Sequence, residues 1–193
     1  MALAYTNTKV EIREISLKDR PQELYDASSK GTVPVIITID EDVIDESLEI
    51  MLWALKNKDK QEWLSEDCSI ELDIINKNDT LFKKWLDRYK YHDRYPERNK
   101  EFYREKCEKF LHEHENQLHK TNFLLYDNLN IVDVALFPFI RQFANVNREW
   151  FSKHYPNLDH WLESWIESTL FNSIMNKYEQ WEPKDKPLII DFT

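Results

Sequence analysis

The chain has one glycine, Gly31, in 193 residues. A lone glycine marks a place where the backbone needs positive φ or a close approach. Scarcity of glycine, together with long charged periodic segments, points to a mostly helical protein. Only two cysteines occur, Cys68 and Cys107, so no disulfide framework is expected, which fits a reducing, cytoplasmic compartment. No apolar run approaches the ~20 residues of a membrane span. No basic stretch followed by an apolar one stands at the N-terminus, so no secretory signal is expected. Positive charge is also short: 26 Lys and Arg against 36 Asp and Glu give a net charge of −10. That balance argues against nucleic acid and anionic membranes as partners. No internal repeat or low-complexity segment stands out.

The residues present suffice for a real core. Apolar residues make up 41% and aromatics 13%, in a length that supports one or two domains. Met1 to Tyr5 reads as the end of a helix, with Asn7 as its terminator. Val10, Ile12 and Ile15 read as a strand, Gln22 to Ala27 as a short helix, Val35 to Ile39 as a strand and Val43-Ile44 as its return. A helix is expected from Glu46 to about Lys56. Residues 57–66, opening on the polar stretch Asn57 to Glu62, are expected to link two domains. Beyond them the periodicity is helical. Phe82, Trp85, Leu86 and Tyr89 form one stripe, Tyr103, Cys107, Phe110 and Leu111 a second, and Trp161, Leu162, Trp165 and Ile166 a third. Ile174, Tyr178 and Trp181 are expected to finish the helical part, before an extended tail carrying Leu188-Ile189-Ile190.

Two stretches carry chemistry. In the first, Gly31-Thr32-Val33-Pro34-Val35, the proline opens an apolar run, and an X-Pro bond in a turn before a strand is where a cis peptide is expected. A cis Val33-Pro34 bond would turn the Val33 N–H and C=O outward, to pair with an extended ligand as a strand edge does. About a dozen residues on, Asp45-Glu46-Ser47 opens a helix. Its free N–H groups and dipole suit a carboxylate, and Glu46 suits an ammonium. In the second stretch Asn130 is a good N-cap, and Asp133 lies three residues on, as in a capping box. The helix after this box is apolar all round and so is expected to be buried, with Pro138 inside it. An ordinary turn and a capped helix would also account for the first stretch taken alone.

Together, in this order and about a hundred residues apart, the two stretches resemble the glutathione S-transferase family, its bacterial members especially, over nearly the whole chain. The resemblance implies an α+β fold: an incomplete thioredoxin-like N-terminal domain over 1–56, the linker, and an all-helical domain over 67–193. It implies a glutathione site of Arg20, Val33, Pro34, Glu46 and Ser47. There the residue before the proline pairs with the cysteinyl backbone, Glu46 and Ser47 hold the γ-glutamyl group, and Arg20 meets the glycine carboxylate. Glutathione as co-substrate, a small electrophile or disulfide as second substrate, and a homodimer are implied by the same resemblance. Asn stands where the family has Ser or Thr at the cap, and Asn130 with Asp133 is expected to be structural.

The family's first strand and catalytic turn have no counterpart here. No Cys-x-x-Cys pattern occurs, and Cys107 on its apolar stripe reads as a packed thiol. Conjugation needs an activated thiolate, so catalysis is expected to be impaired. The other reading is a non-enzymatic binding module on the same fold. The missing strand would leave Val10–Ile15 and Val35–Ile39 with open edges. The sheet could close up, a partner could supply a strand, a segment such as Leu188–Phe192 could fill the gap, or the sequence could be a truncated reading of a longer gene. His112, Glu115 and His119 share a helix face, but charged neighbours favour a solvated face over a metal site. The tyrosines of Tyr89 to Tyr95 would line either an electrophile pocket or the core.

Overall fold

The computed structural model describes residues 1–56, 58–59 and 62–192. The chain opens with α1 (Ala2–Tyr5), β1 (Val10–Glu11), α2 (Gln22–Ala27), β2 (Ile36–Ile37), β3 (Val43–Ile44) and α3 (Ser47–Leu55). Next come α4 (Ser69–Lys77), a π-helical turn (Asn78–Phe82), α5 (Lys83–Lys90), a 3-10 turn (His92–Arg94) and α6 (Lys100–Leu118). Last are α7 (Ile131–Ala144), α8 (Arg148–His154), α9 (Pro156–Ile166), α10 (Thr169–Ser173) and β4 (Ile189–Ile190). These elements divide into two compact units, Met1–Lys60 with Thr169–Thr193, and Gln61–Ser168. Within the linker expected over 57–66, Asn57, Lys60 and Gln61 lie outside the described residues.

In the first unit the small side chains Ala2 and Ala4 are buried, which lets α1 pack closely on α3. Asn7 ends α1 with a left-handed φ of 49°. β2 and β3 form an antiparallel ribbon in the register Ile36↔Ile44 and Ile37↔Val43, closed by Thr38 N–H donating to Asp42 at 2.8 Å. β1 pairs antiparallel with β4 in the register Val10↔Ile190 and Glu11↔Ile189. The strands are shorter than the apolar runs suggested, and they form two ribbons rather than one sheet.

Residues 169–193, expected within the helical domain, belong to this first unit. Tertiary pairing is the reason. Ile12 N–H donates to Leu188 at 2.9 Å, Trp181 N–H donates to Glu14 at 2.8 Å, and Lys9 pairs with Asp191 at 2.7 Å. The Arg13 guanidinium lies 4.9 Å from the centre of the Trp181 ring. Helix therefore stops at Ser173, and the stretch expected to carry Ile174, Tyr178 and Trp181 as a last helical part is a turn followed by irregular chain, with Trp181 bonded back beside β1.

Gly31 has a φ of 58°, and a Cβ there would stand 2.3 Å from the Tyr25 ring. Tyr25 is 41% exposed and can swing aside, so the left-handed backbone sets the cost of a side chain.

In the second unit the three predicted stripes supply the core: Phe82, Leu86, Tyr89, Tyr103, Cys107, Leu111, Trp161, Leu162 and Trp165 are all buried. Central to it is α7. Asn130 accepts from Val132 N–H at 2.9 Å, and the Asp133 carboxylate reaches back to Asn130 N–H at 3.2 Å, completing a capping box. Asp133 also accepts from Leu124 N–H at 2.9 Å and from the Trp161 indole N–H at 3.0 Å. One fully buried carboxylate thus ties the loop before α7, the start of α7 and the middle of α9 together. A second carboxylate does similar work. Glu115 on α6 accepts from Asn157 and Leu158 N–H at 3.0 and 2.8 Å, capping α9, whose own N-cap residue Tyr155 has no side-chain acceptor.

Burial pushes the Asp133 carboxyl up to about 6, desolvation outweighing its three N–H donors. Its folded value lies above its ordinary one, so its stabilising contribution is full below pH ~4 and is lost as pH rises through ~6. Asp133→Asn should remove that part of the stability–pH profile in denaturant melts. Asp133→Ala leaves three buried donors without an acceptor and should cost about 3–5 kcal/mol. Calorimetry should read that as a fall in Tm of roughly 10 °C. Gly31→Ala should cost about 1 kcal/mol by the same measurement.

Candidate functional site

The loop from Ser28 to Pro34 and the mouth of α3 are drawn together by side chains that sequence spacing does not reveal. The Ser28 hydroxyl donates to Asp45 at 2.5 Å. Lys30 donates to Asp45 at 2.9 Å and to Glu46 at 2.5 Å. Hydrogen bonds to Glu46 and then Asp45 raise the Lys30 ammonium above its ordinary range, while Ser28 and then Lys30 lower Asp45. Serine and lysine upstream of Gly31 thereby fix the position of the two acidic residues. Sequence reasoning misses Ser28 and Lys30, because their partners lie 15 to 17 residues away.

Between those anchors the chain passes through Gly31 and the Val33–Pro34 peptide, which is cis. Val33 is 47% exposed, and among the described residues no backbone partner meets its N–H or C=O. Pro34 is exposed. Glu46 stands at the N-cap of α3 in extended conformation, with no side-chain cap bond, and Ser47 is the first helical residue. Both are exposed, and Glu49 is the acidic residue of the first turn. An outward peptide group at Val33, an acidic side chain and the open N–H groups of a nine-residue helix therefore lie on loops clamped to each other. Arg20 sits exposed in the turn before α2, with no ion pair among the described residues.

A groove of about 620 Å³ runs beside this loop, between β1 and β2. Of the five predicted site residues only Val33 lines it. Its walls include the apolar side chains Leu24, Trp53 and Trp181, with Lys9, Glu11, Arg13 and Glu23 beside them. In the second unit a cavity of about 290 Å³ is lined by Phe82, Leu136 and His114 among others, and burial lowers His114 to about 4, which keeps it neutral.

Cys107 is fully buried, and burial pushes its thiol well above the usual range. Cys68 is free and half-buried at the start of α4. Of the tyrosines from Tyr89 to Tyr95, Tyr89 is buried with its ring 5.0 Å from that of Phe143, and Tyr95 donates to Asp87 at 2.6 Å. Neither lines a cavity described above. Glu115 and His119 both engage Asn157, and no cluster of metal-ligating side chains occurs among the described residues.

Comparison with known proteins places these features. Residues 1–62 match the family model described as the glutathione S-transferase N-terminal domain, and residues 62–164 match that of the C-terminal domain. The chain matches no curated protein. It is similar in structure to the glutathione transferase URE2P6 of Phanerochaete chrysosporium, solved in complex with oxidized glutathione. That likeness has a TM-score of 0.76 at 16% identity, over 89% of this chain and 85% of that one. It is similar to a bacterial transferase, BphK, solved as a ternary complex, with a TM-score of 0.76 at 18% identity over 89% and 88%. A transferase of Methylobacillus flagellatus KT with glutathione bound gives a TM-score of 0.70 at 16% identity over 89% of each chain. Strand-bearing N-terminal domain, helical C-terminal domain and two family models that meet at residue 62 lead to one conclusion: this chain belongs to the glutathione S-transferase family.

Proposed function

We propose that this protein binds glutathione on the loops joined by Ser28, Lys30, Asp45 and Glu46, and that the 193-residue chain conjugates or transfers thiols weakly. The observation that carries the reading is the clamped pair of loops, with an outward Val33 peptide on one and the mouth of α3 on the other. Two of the similar structures hold glutathione or its oxidized form. In this reading Val33 pairs with the cysteinyl backbone. The γ-glutamyl carboxylate meets the Ser47 hydroxyl and the N–H groups at the start of α3, and its ammonium meets Glu46. Lys30 is shared between Glu46 and Asp45 and leaves one negative charge over, so the ligand's ammonium meets Glu46 in competition with Lys30, which can then turn to the ligand's carboxylate. Arg20, with no ion pair of its own among the described residues, meets the glycine carboxylate.

The weak catalysis has a chemical cause. Attack on an electrophile or disulfide needs thiolate, and the family either donates a hydrogen bond to it or uses a protein cysteine. Cys107 is buried and its thiol is raised, the opposite of an activated nucleophile. Homodimer assembly and a cytoplasmic location belong to the same proposal, supported by the family and by two free cysteines. No helix among the described residues is long and apolar enough to cross a membrane.

Calorimetric titration should detect glutathione binding to the full chain. Glu46→Gln and Ser47→Ala should each weaken it by about tenfold, the scale of one lost charge-assisted hydrogen bond. Turnover of an aryl halide should stay near the uncatalysed rate. Unchanged affinity in both variants would remove the proposed site, and rapid turnover would overturn the weak-catalysis part while leaving the site in place.

A further inference from the structure

The cavity of about 290 Å³ in the second unit takes no part in the chemistry proposed above. Its lining residues come from α4, the π-helical turn, α6, the loop before α7 and α7 itself. It shares none of them with the loops proposed to hold glutathione.

The deeper lining is apolar and the outer lining is charged. Phe82, Leu111, Leu124, Leu136 and Ile140 line the cavity and are buried. Lys77 and Glu113, its two charged lining residues, are exposed and opposite in sign. Lys77 is already paired with Asp73 at 2.7 Å.

Two polar side chains in the wall have hydrogen-bonding capacity to spare. Asn78 is buried, and its carboxamide nitrogen donates to Asp79 at 3.0 Å, while its carbonyl oxygen accepts from no described group. His114 has no hydrogen bond or ion pair among the described residues. The sealed side-chain polar atoms that lack a partner among the described residues include neither, so both stand open to the cavity they line. Burial lowers His114 to about 4, so near pH 7 its ring is neutral and offers one N–H and one bare nitrogen. Asn78 and Phe82 are also the first and last residues of the π-helical turn. Such turns are rare inside helical runs and recur at functional sites.

We propose that this cavity binds a small neutral phenol, its ring against the apolar lining and its hydroxyl bonded to His114. Charge decides the class. An anion would need a protonated His114 or an unpaired Lys77, and an ammonium would need a buried carboxylate; the walls supply none of these. A hydroxyl donates and accepts, so it suits either nitrogen of a neutral imidazole. Size agrees. An apolar cavity on the order of 150 Å³ admits benzene, so this one has room for a substituted ring.

The test is NMR of the full chain with phenol and with toluene, which has the same shape and no hydroxyl. Phenol should move the methyl signals of Leu111, Leu136 and Ile140 and the ring-nitrogen signals of His114. Toluene should move the methyls and leave the nitrogens in place. His114→Leu should weaken phenol about tenfold, the scale of one lost hydrogen bond, and leave toluene within about twofold. Leu136→Phe, which fills the cavity, should abolish both. Should either variant fail to fold, phenol against toluene on the unmodified chain still decides. No movement with either compound up to its solubility would mean a cavity that takes water only, and would overturn the proposal. So would an equal response of the His114 nitrogens to both compounds, undiminished phenol binding in a folded His114→Leu chain, or shifts confined to the first unit.

Discussion

Buried or half-buried backbone N–H groups need acceptors, and in this chain carboxylates supply them at the joints. Asp133 accepts from Leu124, Asn130 and Trp161, which lie on the loop before α7, at its cap and on α9. Glu115 does the same for the start of α9 from a different helix. A buried carboxylate is costly unless it is surrounded by donors, and burial wins enough at Asp133 to raise its carboxyl to about 6. Removing the acceptor is nevertheless worse than keeping it, because the donors remain buried. The second unit is thus fastened by two acids inside an aromatic core, where Phe137 packs on Trp161 and Trp165 at 6.3 and 5.6 Å.

On the first unit the same chemistry operates at the surface with a different result. Asp45 and Glu46 gather Ser28 and Lys30, exposed enough that the cluster adds little stability and mainly sets position. Position is the first requirement of a ligand site. The cluster brings the loop of Gly31, Val33 and Pro34 to the mouth of α3, so that backbone N–H groups, a carboxylate and an ammonium converge on one patch. An amino-acid group, with its own ammonium and carboxylate, is complementary to such a mixture.

Where no acid serves the backbone, strands must. β1 turns one edge to β4 and β2 turns one edge to β3, which leaves an edge of each facing the groove. Open edges are ordinarily blunted by charge or by covering chain. Here the tail covers the far edge of β1 through Leu188 and Trp181, and charged side chains lie beside the groove.

The sequence by itself determined the element types over residues 1–56, the buried α7 with its Asn130–Asp133 box, the core stripes of α5, α6 and α9, and the turn at Gly31. Each of these is local: a period, a cap or a φ requirement reads from a handful of neighbouring residues. Membership of the family was also legible, because its two motifs are short and keep their order and spacing. Only the tertiary structure decided which residues meet across distance. Ser28 and Lys30 at Asp45 and Glu46, Glu115 beneath α9, and the tail of Leu188 to Ile190 along β1 rather than a last helical turn through Trp181 all belong to that class. The reason is physical. A carboxylate or a free strand edge can be satisfied by any suitable donor or acceptor, and which one arrives depends on how the whole chain packs, not on the residues beside it.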